Sequence, residues 1–472
     1  MVSNLSSMFA RVALLIVAFV AARSTYAGDV EQNHIDAGRE QFTRVRELTT
    51  MRNASQTIDR YFNAQSCAEC HKLGGIGGAG PNENNVQLMN STVTPRRSRQ
   101  DSASIAFRNI ARDSAVLESP RAAILQRSTA AVELEAAKDR FVPLGSNGVN
   151  MLHRRSTFPG YAETRLNELR RVDPDHPEVT GKPRDDGPEL TVESRRKGMG
   201  SSLRSSSSGA LEERNTPALF GLGLIAQIPQ AALDRIAAGQ PERMRGRSPR
   251  LQTGGRGRFG WKSQTATLAG FNDGACAAEL GLRTPTFTPS ERIRFRTRTP
   301  GDPPLQPLPS VPPFDMTAED LAALSSFVAA LPPPKLAYDF ADERDVIEGE
   351  TLFRTTGCAV CHVPDVGGVV GIYSDLLLHE VGTTGSVAYY GTPIGPTPPS
   401  FDIVRATEIR TPPLWGVADS APYLHDGTAK TLEAAILRHT DQAEQSAKHF
   451  VNDLSDAERA KLLAFLGSLR AP

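Results

Sequence analysis

Two pentapeptides of the form Cys-x-x-Cys-His, CAECH at Cys67 to His71 and CAVCH at Cys358 to His362, constrain this chain more than any other feature. With five cysteines and nine histidines in 472 residues, chance would place one such pentapeptide in roughly one of a thousand chains of this composition. A pair calls for a chemical reason. Two thiols three residues apart lie on one face of a helical turn, where each can add to one vinyl group of a porphyrin while the next imidazole points at the iron. Cys67 and Cys70 with His71, and Cys358 and Cys361 with His362, are therefore expected to hold two covalently bound haems c, each histidine as an iron ligand. The competing readings, a redox dithiol or half of a zinc site, do not account for the following histidine in duplicate. The fifth cysteine, Cys276 in DGACAAELG, reads as a core residue.

The N-terminus points to export. Arg11 precedes the apolar run VALLIVAFVAA at Val12 to Ala22, and small residues at Thr25 and Ala27 suit a signal peptidase, so residues 1–27 read as a signal peptide. The run is too short for a membrane anchor, which needs about 20 apolar residues, and no stable membrane insertion is expected. Basic and acidic residues balance at 53 each, which gives no reason to expect a nucleic-acid partner. A periplasmic location follows as the expectation, and cysteine use leaves no disulfide framework.

Proline places the main boundary. TPGDPPLQPLPSVPP at Thr299 to Pro313 cannot be helical and reads as a linker. Beyond it, TAEDLAALSSFVAAL begins with Thr317 and Asp320 spaced as a capping box, and SDAERAKLLAFLGSL near the C-terminus repeats the device with Ser455 and Glu458. A second internal match aligns RNTPALFG at Arg214 to Gly221 with RTPPLWG at Arg410 to Gly416, pairing Thr216 with Thr411, Leu219 with Leu414, Phe220 with Trp415 and Gly221 with Gly416. The expected fold is mainly α: two cytochrome c-like haem domains, residues 28–335 and 336–472, the first enlarged by long loop-rich insertions that include the Ser-rich 198–209 stretch. The GIGGAG run at Gly75 to Gly80 satisfies G-x-G-x-x-G, but no βαβ unit surrounds it and dinucleotide binding is rejected.

The segments GETLFRTTGCAVCH, IYSDLLLHEVG, RTPPLWGVADSAPYLHDGTAKTLEAAILRH, RNTPALFGLGLIAQIP and GRFGWKSQTATL resemble those of the di-haem c-type oxidoreductase and peroxidase family, some of whose members carry the name thiol oxidoreductase. These are relatives of bacterial di-haem cytochrome c peroxidase and of the methylamine-utilisation di-haem protein. The thiol label finds no support here, since Cys276 alone lies outside the motifs. The resemblance implies a haem beside the YLHDG loop, with His425 and Arg410 as propionate partners, and leaves open a calcium ion between domains, although the acids form no dense oxygen-ligand loop.

Function turns on the sixth ligand of each iron, because an iron with two protein ligands carries electrons and one with an open face can bind peroxide. His439 in TLEAAILRHT is the leading candidate opposite His362, with His449, His425 and His379 as competitors. The first motif has no such partner. Gln227 and Gln230 are candidate distal hydrogen-bond donors to bound peroxide, against a reading of both as surface residues; the acid-base group stays unassigned, Glu212 and Glu213 being close only in sequence. Trp261 is a candidate electron relay, Trp415 a weaker one, and Arg256 and Arg258 are further propionate candidates. The reading is a periplasmic di-haem oxidoreductase whose first haem reacts with hydrogen peroxide and whose second relays electrons from a small redox protein or quinol-linked donor. The alternatives are a di-haem cytochrome that only transfers electrons and a haem scaffold or sensor.

Overall fold

The computed structural model describes residues 31–46, 64–90, 149–154, 161–172, 174, 176–181, 190–197, 211–251, 254–280, 282, 284–285, 314–334, 343–381, 402, 404–405 and 407–472. The signal peptide, the Ser-rich stretch and the Thr299–Pro313 linker expected from the sequence lie outside them.

Two helix crossings organise these residues, and they are copies of each other. Helix α1 (residues 31–43) crosses α5 (Ala318–Ala330), and α6 (Glu343–Thr355) crosses α9 (Asp456–Gly467). A glycine sits at each crossing. A Cβ added to Gly38 would lie 1.9 Å from the Ala323 carbonyl oxygen, and one added to Gly349 would lie 2.0 Å from that of Lys461, so only glycine lets the backbones approach this closely. One helical turn on, Phe42 and Phe353 share the glycine's face. Phe42 packs on Phe327 with ring centroids 5.2 Å apart and Phe353 on Phe465 at 5.3 Å, and each of the two leading rings stands 6.2 Å from the histidine of its own Cys-x-x-Cys-His motif. The capping boxes form as read: Thr317 and Asp320 open α5, and Ser455 and Glu458 open α9.

The repeat extends beyond the helices. Leu219 N–H donates to the Gly77 carbonyl at 2.7 Å and Leu414 N–H donates to that of Ile372 at 3.1 Å. Gly221 and Gly416 both adopt positive φ, +66° and +72°. A Cβ on Gly221 would stand 2.6 Å from the Trp415 ring, and one on Gly416 would stand 3.5 Å from Phe220. Each copy thus lays its buried aromatic residue over the other copy's glycine.

The strands are short and belong to the connections. β1 (Val86–Asn90) is the centre of an antiparallel sheet flanked by β2 (Val149–His153) and β3 (Leu211–Arg214), with Val86 opposite both His153 and Arg214. The sequence reading gave this region to loops. The alternation of VQL is followed by two residues, Met89 and Asn90, that break it, and Val86, Gln87 and Leu88 are all buried, so burial does not follow the pattern of a half-exposed strand. A second antiparallel pair, β4 (Leu378–Glu380) with β5 (Glu408–Arg410), brings His379 opposite Ile409. Cys276, in α4 (Leu268–Leu280), is buried in the first copy's core, where burial raises its thiol pKa.

The glycines after the first motif serve a tight turn. Leu73 and Ala79 bridge, and a Cβ on Gly78 would lie 1.7 Å from the Leu73 carbonyl oxygen. The chain then enters an antiparallel sheet in place of a βαβ unit.

Candidate haem-binding site

The two motifs are held alike. Cys67–Cys70 forms one helical turn, α2, while Cys358–Val360 forms a 3₁₀ turn entered through Gly357 at φ +88°. His71 N–H donates to the Cys67 carbonyl at 2.9 Å and His362 N–H donates to that of Cys358 at 3.0 Å. Each imidazole points its Nδ1 at a carbonyl, His71 at Gly78 (3.1 Å) and His362 at Tyr373 (3.0 Å). That contact places the proton on Nδ1 and leaves Nε2 as the nitrogen that could bind a metal; at His71 the Pro217 carbonyl is a second backbone neighbour of the ring. Burial pushes both imidazoles down to about 4, so they are neutral, which is the ligating form. Burial raises Cys67 and Cys358 to about 11 and Cys70 to about 12. Thiols so raised are poor redox nucleophiles.

A cavity of about 810 Å³ opens on the second motif, within the size range of cofactor sites. Cys358, Cys361 and His362 line it together with His439, which stands just past α7 (Leu432–Leu437). His439 Nδ1 meets the Ala435 carbonyl at 2.8 Å, again leaving Nε2 for a metal; burial lowers its pKa, and its charge would oppose one on His362. Thr431 caps α7 through a bond to the Ala434 N–H. Before it, the loop turns on Gly427 (φ +67°) and on Asp426, whose carboxylate accepts from Thr428 N–H and Oγ1. Leu424 in that loop adopts φ +71° at the cavity wall, a strained conformation that packing must hold.

Arg410 tests the fit of a haem. Its guanidinium is buried at the cavity wall, its Nε donates to the Gly260 carbonyl at 2.9 Å, and among the described residues no carboxylate pairs with it. Burial pushes it down to about 10. The Asp375 carboxylate acts on it without a bond; a buried cation with no carboxylate in contact is costly, and a haem propionate would complete the site by a charge-assisted bond. Trp261 and His425 also line the cavity, edge to face at 6.3 Å, with Trp261 Nε1 donating to the Asn215 carbonyl at 3.0 Å. Trp415 lines it from the first copy's core.

Other candidates stand elsewhere. Gln227 is exposed and its amide donates to the Gly223 carbonyl in its own helix, α3 (Leu222–Gln227), and Gln230 donates to Asp234. Neither lines the cavity on the second motif, and Ile228 between them is buried. Arg258 donates to the Ile225 carbonyl and Arg256 to that of Ser248, backbone partners in place of propionates. His449 bonds Gln445 on the half-buried face of α8 (Glu444–Asn452). Glu213, unplaced by sequence reasoning, does line the cavity, where Arg154, Asn85 and Gln87 hold its carboxylate.

His379 also lines the cavity, with its ring held between Cys361 and Asp375. Its Nε2 is 2.7 Å from Asp375 Oδ2 and its Nδ1 is 3.7 Å from Cys361 Sγ. Desolvation alone would lower it, but the Asp375 carboxylate, with a smaller contribution from the Cys361 thiol, outweighs burial and raises it to about 10. Among the described residues, Cys361, Asp375 and His379 form the one trio placed to share a metal ion, and a thiol with an imidazole is not a calcium donor set. The counterpart of this sulfur contact in the first copy is Asn84, whose Nδ2 donates to Cys70 Sγ at 2.8 Å. Sequence reasoning missed Asn84, Asp375 and Gln240; only extending the internal repeat past the motifs could have found the first.

The sequence is 29% identical over 167 residues to the methylamine utilization protein MauG of Methylorubrum extorquens, a match covering 32% of this chain and 43% of that protein's length. Two solved structures align more loosely. Hydrazine synthase of Kuenenia stuttgartiensis shares 19% identity over 55% of this chain and 73% of that one at a TM-score of 0.29. A MauG-like protein associated with microbial copper homeostasis shares 26% identity over 32% of this chain and 53% of that one at 0.23. At such scores the superpositions carry no argument about the fold. The family described as "Di-haem oxidoreductase, putative peroxidase" matches residues 34–469, nearly the whole chain, and to that family of haem-dependent redox proteins this chain belongs.

Proposed function

We propose that this is a periplasmic di-haem oxidoreductase with two cytochrome c-like domains, residues 28–335 and 336–472, which reduces hydrogen peroxide to water. The observation that carries the reading is the asymmetry between two otherwise equivalent sites. His439 lines the same cavity as His362 with its Nδ1 already committed to Ala435, whereas the segment that follows His71 holds neither His nor Met before Met89.

When bound, haem supplies one-electron redox chemistry at iron, with reactivity decided by whether a sixth position is open. The chain supplies the rest. Cys67, Cys70, Cys358 and Cys361 would hold the porphyrins as thioethers. His71 and His362 would bind iron through Nε2, their rings fixed by Gly78 and Tyr373. His439 would close the second site, making it a relay, while Arg410 holds a propionate and the surrounding apolar side chains exclude water. Reduction of one peroxide to two waters takes two electrons and two protons, the electrons entering from a small redox protein or a quinol-linked donor. Trp261 and Trp415 stand at the cavity wall as candidate relay groups.

Spectra of the purified diferric holoprotein test this. The expected result is one high-spin haem whose signal changes with peroxide and one low-spin haem. His439→Ala should convert the low-spin haem to high-spin. Two low-spin haems unmoved by peroxide would overturn the peroxidase reading in favour of a cytochrome that only transfers electrons.

A further inference from the structure

The repeat gives the sulfur contacts of Asn84 and His379 a common meaning. The carbonyl that orients each proximal histidine belongs to Gly78 in the first copy and Tyr373 in the second. The preceding residues, Gly77 and Ile372, accept from Leu219 and Leu414, which are aligned by the independent Thr-Pro match. Counting from those carbonyls, Asn84 is six residues past Gly78 and His379 is six past Tyr373. Both then direct a side-chain nitrogen at the second cysteine sulfur of their motif, at 2.8 Å and 3.7 Å. The same count pairs Asp375 with Gly80, where a Cβ would stand 2.6 Å from Thr216 Cβ and 2.9 Å from the Cys70 carbonyl oxygen, so the first copy has no room for a carboxylate.

We infer that Asn84 and His379 are equivalent positioning residues that donate to the sulfur attaching each haem, and that their difference, a neutral amide against a carboxylate-backed imidazole, sets the reduction potentials of the two haems apart. The inference rests on the covalent di-haem reading above. The cysteines here are thiols standing in for thioethers, and a thioether sulfur can only accept. With Nε2–H committed to Asp375, the bond to sulfur requires a second N–H at Nδ1, so the ring is cationic.

The second copy is built to keep it there. Asp375 and His379 are fully buried, Gln240 donates to Asp375 Oδ2 at 2.7 Å and to the Val360 carbonyl at 2.8 Å, and the Asp375 N–H donates to the Cys361 carbonyl at 2.8 Å. Gly246 leaves the ring its space, since a Cβ there would lie 2.5 Å from His379 Nε2. A donor drawing electron density from the sulfur, and a cation at the porphyrin edge, both favour the reduced haem.

The test uses the full holoprotein, with attachment of both haems verified by the mass of the denatured chain, and follows each haem's potential by its own spectrum. His379→Asn installs the first copy's residue and leaves Asp375 unpaired by imidazole. It should lower the second haem's potential by about 59 mV, a tenfold change in its one-electron equilibrium, with the first haem moving less than threefold. Asn84→Leu should lower the first haem alone, and it carries the test by itself if His379→Asn is not recovered with both haems. A fall confined to the haem whose donor is replaced, in either variant, supports the inference, and a rise there overturns it. Unmoved potentials, or equal shifts in both haems, overturn it while leaving the di-haem reading intact; wild-type protein without covalent haem overturns that reading instead.

Discussion

The helix crossing at Gly349 can be tested by adding a single methyl group. In Gly349→Ala the new Cβ would stand 2.0 Å from the Lys461 carbonyl oxygen, 2.7 Å from its carbon and 2.9 Å from Phe465 Cβ, where ordinary contact begins at 3.4 Å. The nearest atoms are backbone, so no side chain can rotate away, and α6 and α9 must part by about 1.4 Å. Overpacking of this kind costs about 1–3 kcal/mol, and a backbone obstacle puts this site at the upper end. Alanine returns about 1 kcal/mol of helix propensity relative to glycine. Strain wins, and the net destabilisation is about 2 kcal/mol, a large part of a stability that is usually about 5–15 kcal/mol. Guanidinium unfolding followed by far-UV circular dichroism measures it. Gly467→Ala, at the end of the partner helix α9 and with nothing within 4 Å of the added Cβ, is the control and should be neutral or stabilising. Gly38→Ala should repeat the loss in the first copy. If Gly349→Ala proved as stable as Gly467→Ala, the close crossing would be refuted.

Glu408 gives a pH prediction. Burial alone would raise its pKa, but Arg247, bonded at 2.7 and 2.6 Å, and the Arg405 N–H at 2.7 Å outweigh burial and hold it below the ordinary 4.5. A lowered carboxylate contributes stability that is full above the unfolded value and lost as pH falls through the folded one. Glu408→Gln should therefore flatten the acid limb of the stability curve below about pH 4.5, and an unchanged slope would rule the group out. Arg410→Leu removes a buried cation with no carboxylate partner, so the apoprotein should stay within about 1 kcal/mol of wild type. Haem content of the second site, measured as haem per chain after pyridine treatment, should fall; full occupancy would exclude the propionate role.

What the sequence disclosed and what it hid divide along a physical line. The Cys-x-x-Cys-His motifs, the capping boxes at Thr317 and Ser455 and the Thr-Pro repeat were legible because each is a local pattern whose meaning lies in its own spacing. His439 was legible as a candidate for the same reason, standing eight residues after Thr431 at the end of a capped helix. The three-stranded sheet was not legible: Val86, Gln87 and Leu88 are buried alike, and Gln87 is tolerated inside because Arg165 and Glu213 satisfy its amide. Gln227 and Gln230 were proposed for the first haem, and an alignment places residues along the chain without fixing which way they face: Gln227 bonds the Gly223 carbonyl of its own helix and Gln230 bonds Asp234.

The least legible group is the most consequential. Asp375, His379 and Gln240 carry no motif of their own, and Gln240 reaches Asp375 across 135 positions. Their order appears only when the second copy is superimposed, through its hydrogen bonds, on the first. Asn84 and His379 differ in residue type and in their distance from the motif cysteine, fourteen residues in one copy and eighteen in the other, so an alignment anchored on the cysteines would not pair them. Anchored on the carbonyl that holds the proximal histidine, they coincide. An ancestral repeat can thus keep a contact to sulfur while exchanging its chemistry, and that exchange would let two haems on one scaffold diverge in potential without any change in their attachment.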